Sequence, residues 1–423
     1  MSAQSVKTHK VKKNETLYGI ARENGITVEQ LRQANPGMEA PGYTLKKGDV
    51  INIPVIDGTA VVHTDDPNAD VRQRAIRLGI MLPLHDANGE GRRMVEYYRG
   101  VLMACDSMKK EGISVDVHAW NTPEDADLSR VLSEAGAARC DLIIGPLYSK
   151  QMDQLSSYSE RNKALLVIPF SINAPQIYLN RNIFQIYQVP NELNESTSRR
   201  FTEWFANYHA IVVDCDDPNS TKGAFTAVLR RQMETKGMQY SLTSMKSTEA
   251  NFASAFSASK QNVVVLNSAR PEDLKALFNR LNNLLASHPN LQISVFGYQE
   301  WMELADSQKA SFHKYNMYLP APYYTNLTTP VAASLVKKYR ENFHQDMSSY
   351  MPKLALTGFD HAVFFLRGLH KYGATFDGAA GRFGYQPVQT PLKFERIGNG
   401  GLQNRAFMFV HYKPNDQIET INY

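Results

Sequence analysis

Short apolar runs rich in branched residues alternate along much of the chain with polar stretches in which apolar residues recur at helical spacing. In the clearest example, two apolar runs at 140–149 and 165–173 each pass into Gly or Pro and small polar residues. Such runs are typical of buried parallel strands whose carboxyl ends open into loops. Residues 151–162 between them carry apolar side chains at helical spacing. The segment therefore predicts a strand, a helix and a strand.

The same alternation continues across residues 73–423. Further strands are predicted at 75–84, 115–122, 184–189, 210–215, 240–243, 262–267 and 292–297. Helices are predicted at 96–110 (after a loop at 89–91), 127–138, 192–208, 221–236 and 271–287. Because the alternation begins again after Pro190, we expect an α/β fold with two Rossmann-like parallel sheets, forming two lobes around a cleft.

Residues 8–54 follow a smaller pattern. A strand, two short helices and a second strand are predicted at 9–13, 14–25, 28–34 and 46–54. Leu17, Ile20 and Ala21 fall on one face of the first helix, and an Asn-Pro-Gly sequence ends the second. The order predicts a βααβ module.

Residues 55–72 join the two regions and contain turn formers, four Asp and a single Arg, without apolar periodicity. Such a composition predicts a semi-extended tether. We expect it to let the small module reach its ligand independently of the large region.

The overall composition narrows the function classes. The 423 residues are 43% hydrophobic and 21% charged, with a net charge of +4, and carry no basic stripe interleaved with aromatics. This balance gives no indication of nucleic-acid binding. No run of 18 or more apolar residues occurs, so no membrane-spanning helix is predicted.

Candidate catalytic and metal-binding chemistry is sparse. The three cysteines are far apart and lie in or beside apolar runs, which predicts buried free thiols. No GxSxG, HExxH or P-loop sequence occurs. The acidic cluster Asp214, Asp216 and Asp217 is interpreted as exposed turn charge because no matching ligands accompany it. We expect no catalytic residue, no metal ion and no cofactor.

The small module resembles the LysM domain. The hallmark Val-x-x-Gly-Asp-Thr-Leu-x-x-Ile-Ala appears at 11–21, with Asn14 and Glu15 in place of Gly-Asp. The later Leu-x-x-x-Asn-Pro and Leu-x-x-Gly-x-x-Leu-x-Ile-Pro patterns appear at 31–36 and 45–54. The resemblance implies binding of peptidoglycan or another N-acetylglucosamine polymer. The implied glycan groove consists of Asn14, Glu15, Thr16, Leu17, Pro36, Gly37 and Met38.

The large region resembles the type I periplasmic-binding fold, in particular its leucine/isoleucine/valine-binding branch. The matching motifs, in order, are Ile-Gly-Pro-Leu-Tyr-Ser at 144–149, Ile-Pro-Phe-Ser at 168–171, Phe-Gly-Tyr-Gln-Glu-Trp at 296–301 and a closing hairpin near 377–401. The resemblance implies three crossings between lobes, with lobe 1 at about 73–189 and 323–385, and lobe 2 at about 190–320 and 386–423.

The same resemblance implies a ligand site in the cleft. Solute receptors of this family hold a ligand carboxylate with hydroxyl residues of the first lobe and an amino group with an acid of the second. The matching candidates are Tyr148, Ser149, Ser171, Asn173, Tyr298 and Tyr323. Ser149 is equally well placed to cap the following helix, and core packing is the competing interpretation for Tyr298 and Tyr323.

Two functions remain open. In the first, a non-catalytic envelope protein binds peptidoglycan through LysM and uses the large domain to regulate or scaffold a cell-wall synthase, similar to the lipoprotein activators of penicillin-binding proteins. In the second, a solute receptor binds a small polar ligand such as an amino acid. A wall-attached receptor could not diffuse to a transporter, which favours the first. Because the first residues lack a signal-peptide layout, we expect either a cytoplasmic chain or, as the domains favour, a periplasmic or outer-membrane-associated one whose export signal is not in this sequence.

Overall fold

A computed structural model describes residues 6–12, 15, 17, 20, 21, 24, 28–39, 43, 45–54, 66, 68–170, 173–188, 190–378 and 384–423. The chain divides into two compact units: Met1–Tyr187 with Thr325–Asn404, and Gln188–Tyr324 with Arg405–Tyr423. Within the described residues, no helix combines the length and apolar character needed to cross a bilayer.

The N-terminal region contains a two-stranded antiparallel sheet of β1 (Val6–Lys10) and β2 (Val50–Pro54). Between the strands lie helical residues at Leu17, Ile20 and Ala21, helix α1 (Val28–Gln33) and a 3₁₀ turn at Pro36–Glu39. The apolar positions of each element meet in one small core: Val11, Ile20, Ala21, Leu31, Met38, Ile51 and Ile53. These elements follow the predicted βααβ order.

The first unit contains a seven-stranded sheet that is parallel except at one edge. Its strands are β3 (Ile76–Leu82), β4 (Val115–Asn121), β5 (Leu142–Ile144), β6 (Leu165–Ile168), β7 (Ile183–Gln185), β13 (Phe394–Arg396) and β14 (Leu402–Asn404). Their spatial order is β13-β14-β7-β6-β5-β3-β4, with only β13 antiparallel to its neighbour. The helices are α2 (Gly89–Lys110), α3 (Leu128–Leu132), α4 (Met152–Asn162), α10 (Pro330–Phe343) and α11 (Leu354–Tyr372).

The second unit contains a seven-stranded sheet of similar design. Its strands are β8 (His209–Asp214), β9 (Tyr240–Ser244), β10 (Asn262–Leu266), β11 (Ile293–Phe296), β12 (Met317–Ala321), β15 (Met408–Tyr412) and β16 (Ile418–Asn422). They lie in the order β16-β15-β12-β11-β10-β8-β9, with β15 antiparallel to both of its neighbours. Its helices are α5 (Pro190–Trp204), α6 (Gly223–Thr235), α7 (Glu249–Ala253), α8 (Pro271–Ser287) and α9 (Lys309–Lys314). The predicted α/β fold with two mainly parallel sheets is confirmed.

Two sequence-based expectations differ from the structure. The predicted loop at 89–91 is the first turn of α2, because the Asn88 side chain accepts a hydrogen bond from the Gly91 N–H (2.8 Å) and caps the helix seven residues earlier than predicted. The tail divides later than predicted: β13 and β14 extend the first sheet through pairing of β14 with β7, so residues 386–404 lie in the first unit and only Arg405 onward in the second.

A buried carboxylate fixes the segment that leads into these last strands. Asp360 in α11 accepts hydrogen bonds from the backbone N–H groups of Val388 (2.9 Å), Gln389 (2.7 Å) and Thr390 (2.7 Å). Burial raises the pKa of Asp360 to about 7, against the opposing effect of these three hydrogen bonds. Asp360 therefore acts as a structural carboxylate that orders residues 388–390.

His361, the next residue, gives the first unit a specific response to acid. Its side chain is fully buried, and its Nδ1 lies 2.9 Å from the Tyr97 hydroxyl. Burial lowers the pKa of His361 to about 3, below the usual 6.5, so the unfolded chain binds one more proton once the pH falls below 6.5. We expect this residue to cost the folded state about 2 kcal/mol between pH 7 and pH 5.

The measurement is chemical denaturation of the full chain and of His361→Gln at both pH values. The variant should lose less stability on acidification than the parent, by the amount given above. An identical pH dependence for the two proteins would contradict a neutral, buried His361.

Candidate functional site

The implied glycan groove of the N-terminal region is partly described. Glu15 is held by two contacts: its Oε2 accepts the Lys12 backbone N–H (2.7 Å) and lies 2.8 Å from His9 Nε2. The Lys12 N–H and the His9 ring both lower the pKa of Glu15. Leu17 is half-buried against the small core. Asn14 and Thr16 lie outside the described residues.

The other side of the implied groove is set by Asn35. Its Nδ2 donates to the carbonyls of Leu31 and Asn52 (both 2.7 Å), and its Oδ1 accepts the Asn52 N–H (2.7 Å). The end of α1 is thereby tied to β2, and the chain turns into the exposed residues Pro36 and Gly37.

Met38 differs from its two neighbours. It is only 6% exposed and its side chain belongs to the small core, so it offers little surface to a ligand. A Cβ added at Gly37 would meet no atom within 4 Å, so the space above this backbone is open.

At the carboxyl ends of the first sheet three candidate residues are described: the side chains of Tyr148 and Ser149 and the backbone N–H of Asn173 each take part in a hydrogen bond. The Ser149 hydroxyl accepts the backbone N–H of Asn173 (3.0 Å) and does not cap the following helix. The Tyr148 hydroxyl donates to Glu90 (3.0 Å). Burial, together with the Glu90 carboxylate, raises the pKa of Tyr148 to about 12. Ser171 lies outside the described residues.

In the second unit, Tyr298 is part of the core. It is 4% exposed, its hydroxyl donates to the Leu266 carbonyl (2.6 Å), and its ring packs edge-on against Phe225 and Trp301. Its pKa is raised well above the usual value, chiefly by burial. The packing interpretation therefore describes Tyr298 better than ligand contact does. Tyr323 is half-buried, and burial raises its pKa as well.

A Lys–Glu pair beside Tyr298 was not found from the sequence. Lys222 Nζ lies 2.6 Å from Glu300 Oε1 and 4.7 Å from the centre of the Tyr298 ring. The two charged residues are 78 positions apart, and no local pattern links them. Glu300 is the acid nearest to Tyr298 in the sequence motif, and its carboxylate is already paired with the Lys222 ammonium group.

The acidic cluster beyond β8 is also divided among protein partners. Asp217 pairs with Arg270 (2.8 Å), Asp216 accepts from the Ser244 hydroxyl (2.5 Å), and Asp214 accepts from Asn267 Nδ2 (2.9 Å). The described residues contain no group of three or more His, Cys, Asp or Glu side chains arranged to hold a metal ion.

The cysteines lie in buried or half-buried positions. All three are free; Cys140 is buried, and Cys105 and Cys215 are half-buried. Burial raises the pKa of Cys105 and of Cys140 to about 12, which keeps both thiols protonated near neutral pH.

Comparison with known families identifies the N-terminal region. Residues 9–54 match the family model of the LysM domain. This region is therefore a LysM domain, as its motifs predicted. A search of curated proteins finds no significant match to the chain.

Solved structures identify the fold of the large region. A crystal structure described as a branched-chain amino acid ABC transporter from Rhodospirillum rubrum is similar, with a TM-score of 0.53 and 15% identity, over 82% of this chain and 100% of that chain. LpoA from Haemophilus influenzae is similar with a TM-score of 0.50 and 14% identity, over 82% of this chain. The match spans only 59% of the LpoA chain. At these identities the likeness concerns the fold, and the predicted type I periplasmic-binding fold is confirmed.

The contacts of Asn35 lead to a stability prediction for the LysM domain. In Asn35→Ala the Asn52 N–H loses its acceptor and two carbonyls lose their donor, which should destabilise this domain by about 1–2 kcal/mol. Amide hydrogen exchange of residues 50–54, measured by mass spectrometry, should accelerate about tenfold.

Asn24→Ala is the matched control, because the Asn24 amide makes one local bond to the Ile20 carbonyl (2.8 Å). It should leave exchange in β2 nearly unchanged. Equal exchange in the parent and Asn35→Ala would show that Asn35 does not hold the strand.

Proposed function

We propose that this protein is a non-catalytic component of the cell envelope. Its LysM domain binds peptidoglycan, and its periplasmic-binding-like domain regulates or scaffolds cell-wall synthesis through contact with a synthase. The site of action is the periplasm or the outer-membrane-associated envelope.

The LysM domain carries the first part of the proposal. Its family binds N-acetylglucosamine polymers, and the exposed backbone at Pro36 and Gly37 offers open space beside a small apolar core. Backbone amides and a small apolar floor suit the acetamido groups of such a polymer.

The second part rests on one observation: four of the residues that a solute receptor could offer its ligand already have polar partners within each unit. Ser149 is bonded to the Asn173 N–H, Tyr148 to Glu90, Tyr298 to Leu266 and Glu300 to Lys222. A small ligand that took its contacts from Tyr148, Tyr298 or Glu300 would have to replace these bonds, and each exchange reduces its net affinity. This pairing favours a domain that works through its surface.

A solute receptor is the alternative. The similarity in fold to the Rhodospirillum rubrum protein, described as a branched-chain amino acid ABC transporter, favours it. In that case Ser149 and Asn173 would exchange their mutual bond for contacts to a ligand carboxylate.

Sedimentation with insoluble peptidoglycan sacculi tests the LysM part. Gly37→Leu places a side chain beside the implied groove at a position where an added Cβ meets no atom within 4 Å, and should weaken binding of the full chain about tenfold. Val50→Leu is the matched control because Val50 is 66% exposed on β2 and is not part of the implied groove. Equal retention of both variants, or no retention of the parent, would refute the proposed glycan groove.

Calorimetric titration of the full chain with leucine, isoleucine and valine tests the alternative. We expect no saturable binding up to about 1 mM, because the candidate polar groups are engaged within the protein. Binding with a Kd of about 1 μM that Ser149→Ala abolishes would establish the receptor instead.

A further inference from the structure

The amino ends of the first sheet carry a feature that the proposed function does not use. There the structure forms an open basin of about 800 Å³. Residues at or just before the parallel strands β3, β5, β6 and β7 line it: Arg74, Arg77, Arg139, Asp141, Lys163 and Asn182. Since parallel strands begin at the same edge, the chain gathers these side chains from four separate segments.

The acidic side chains of this basic basin are neutralised by protein partners. Asp141 receives both guanidinium nitrogens of Arg74, each at 2.7 Å, and also the Arg77 backbone N–H (2.9 Å). Asp70 pairs with Arg72 (2.9 Å). The carboxylates that line the basin therefore add little net negative potential to it.

Two cations of the basic basin have no carboxylate partner among the described residues. Arg139 and Lys163 are both exposed, and no carboxylate of the described residues lies within ion-pair distance of either. Guanidinium and ammonium groups around an open basin favour a ligand bearing carboxylates.

The path of the chain indicates where such a ligand would come from. Asn68, Asp70 and Val71 line the basin, so the segment that follows the LysM domain in the sequence reaches the seven-stranded sheet there. The matched LysM residues end at 54, and the residues up to Asn68 can span at most about 50 Å. A polymer bound by LysM thus lies within tether range of the basic basin.

We propose that the basic basin binds the carboxylates of peptidoglycan stem peptides on wall material held by the LysM domain. The inference rests on the proposed function, because it takes the polymer from the LysM assignment. The second contact would raise retention on peptidoglycan by making its binding effectively intramolecular. It would also distinguish peptidoglycan from a neutral N-acetylglucosamine polymer.

The test is sedimentation of the full chain with two forms of sacculi. One is native; the other has its carboxylates capped as methylamides by carbodiimide coupling, which keeps the glycan intact. The double variant Arg139→Glu/Lys163→Glu should bind native sacculi about fivefold more weakly than the parent at low salt. On capped sacculi the two proteins should bind equally, and about 0.5 M NaCl should remove most of the difference on native sacculi.

The matched control, Arg231→Glu/Lys236→Glu, makes the same change in net charge at two exposed cations on and just after α6 in the second unit. It should bind native sacculi like the parent. Equal weakening by the control, or equal binding of the Arg139/Lys163 variant and the parent to native sacculi, would overturn the inference. Absence of parent binding to capped sacculi, with binding to native sacculi retained, would instead contradict the LysM part of the proposed function.

Discussion

Two glycines bring helices α2 and α11 into backbone contact, and the first unit depends on this crossing. A Cβ at Gly100 would lie 1.8 Å from the Ala355 carbonyl oxygen, and one at Gly358 would lie 2.1 Å from that of Tyr97. Only glycine permits so close an approach. Because α11 belongs to the segment that returns at residue 325, the crossing joins two distant parts of the chain over one sheet.

Helix α11 of this crossing also holds the edge of the first sheet that β13 and β14 form. From α11, Asp360 binds residues 388–390, which lead into β13 and β14 at the edge beside β7. The carboxyl ends then hold Ser149 and Asn173 in contact, while the amino ends present Arg139 and Lys163 to solvent. The two ends of the strands thus differ in character: Tyr148 and Ser149 at the carboxyl ends have hydrogen-bond partners, and Arg139 and Lys163 at the amino ends lack carboxylate partners among the described residues.

The alternation of apolar runs and helical stretches was sufficient to predict both sheets, because strands buried on two faces leave continuous apolar runs in the sequence. The small module was predictable for a different reason. Several apolar positions of the LysM motifs are the residues that form its single small core, so the motifs record which residues pack together. Contacts between distant residues were not predictable. Lys222 and Glu300 are 78 residues apart in the sequence, and β14 pairs with a strand more than 200 residues before it. No local sequence pattern indicates either contact.

The sequence indicated which loops hold the candidate residues, but not which hydrogen bonds those residues make. The motif at 144–149 located a loop at the carboxyl end of β5, yet only the structure shows that the Ser149 hydroxyl is engaged with Asn173. Likewise, the sequence could not decide between ligand contact and packing for Tyr298, because an aromatic at a strand end serves either purpose; burial decides for packing.

The most direct test of this account is the rate of peptidoglycan synthesis by a purified bifunctional wall synthase, measured with and without the full chain. The account predicts a saturable change in rate that depends on the concentration of the chain and persists without any added small molecule. An unchanged rate across that range, with no binding between the two proteins, would contradict it.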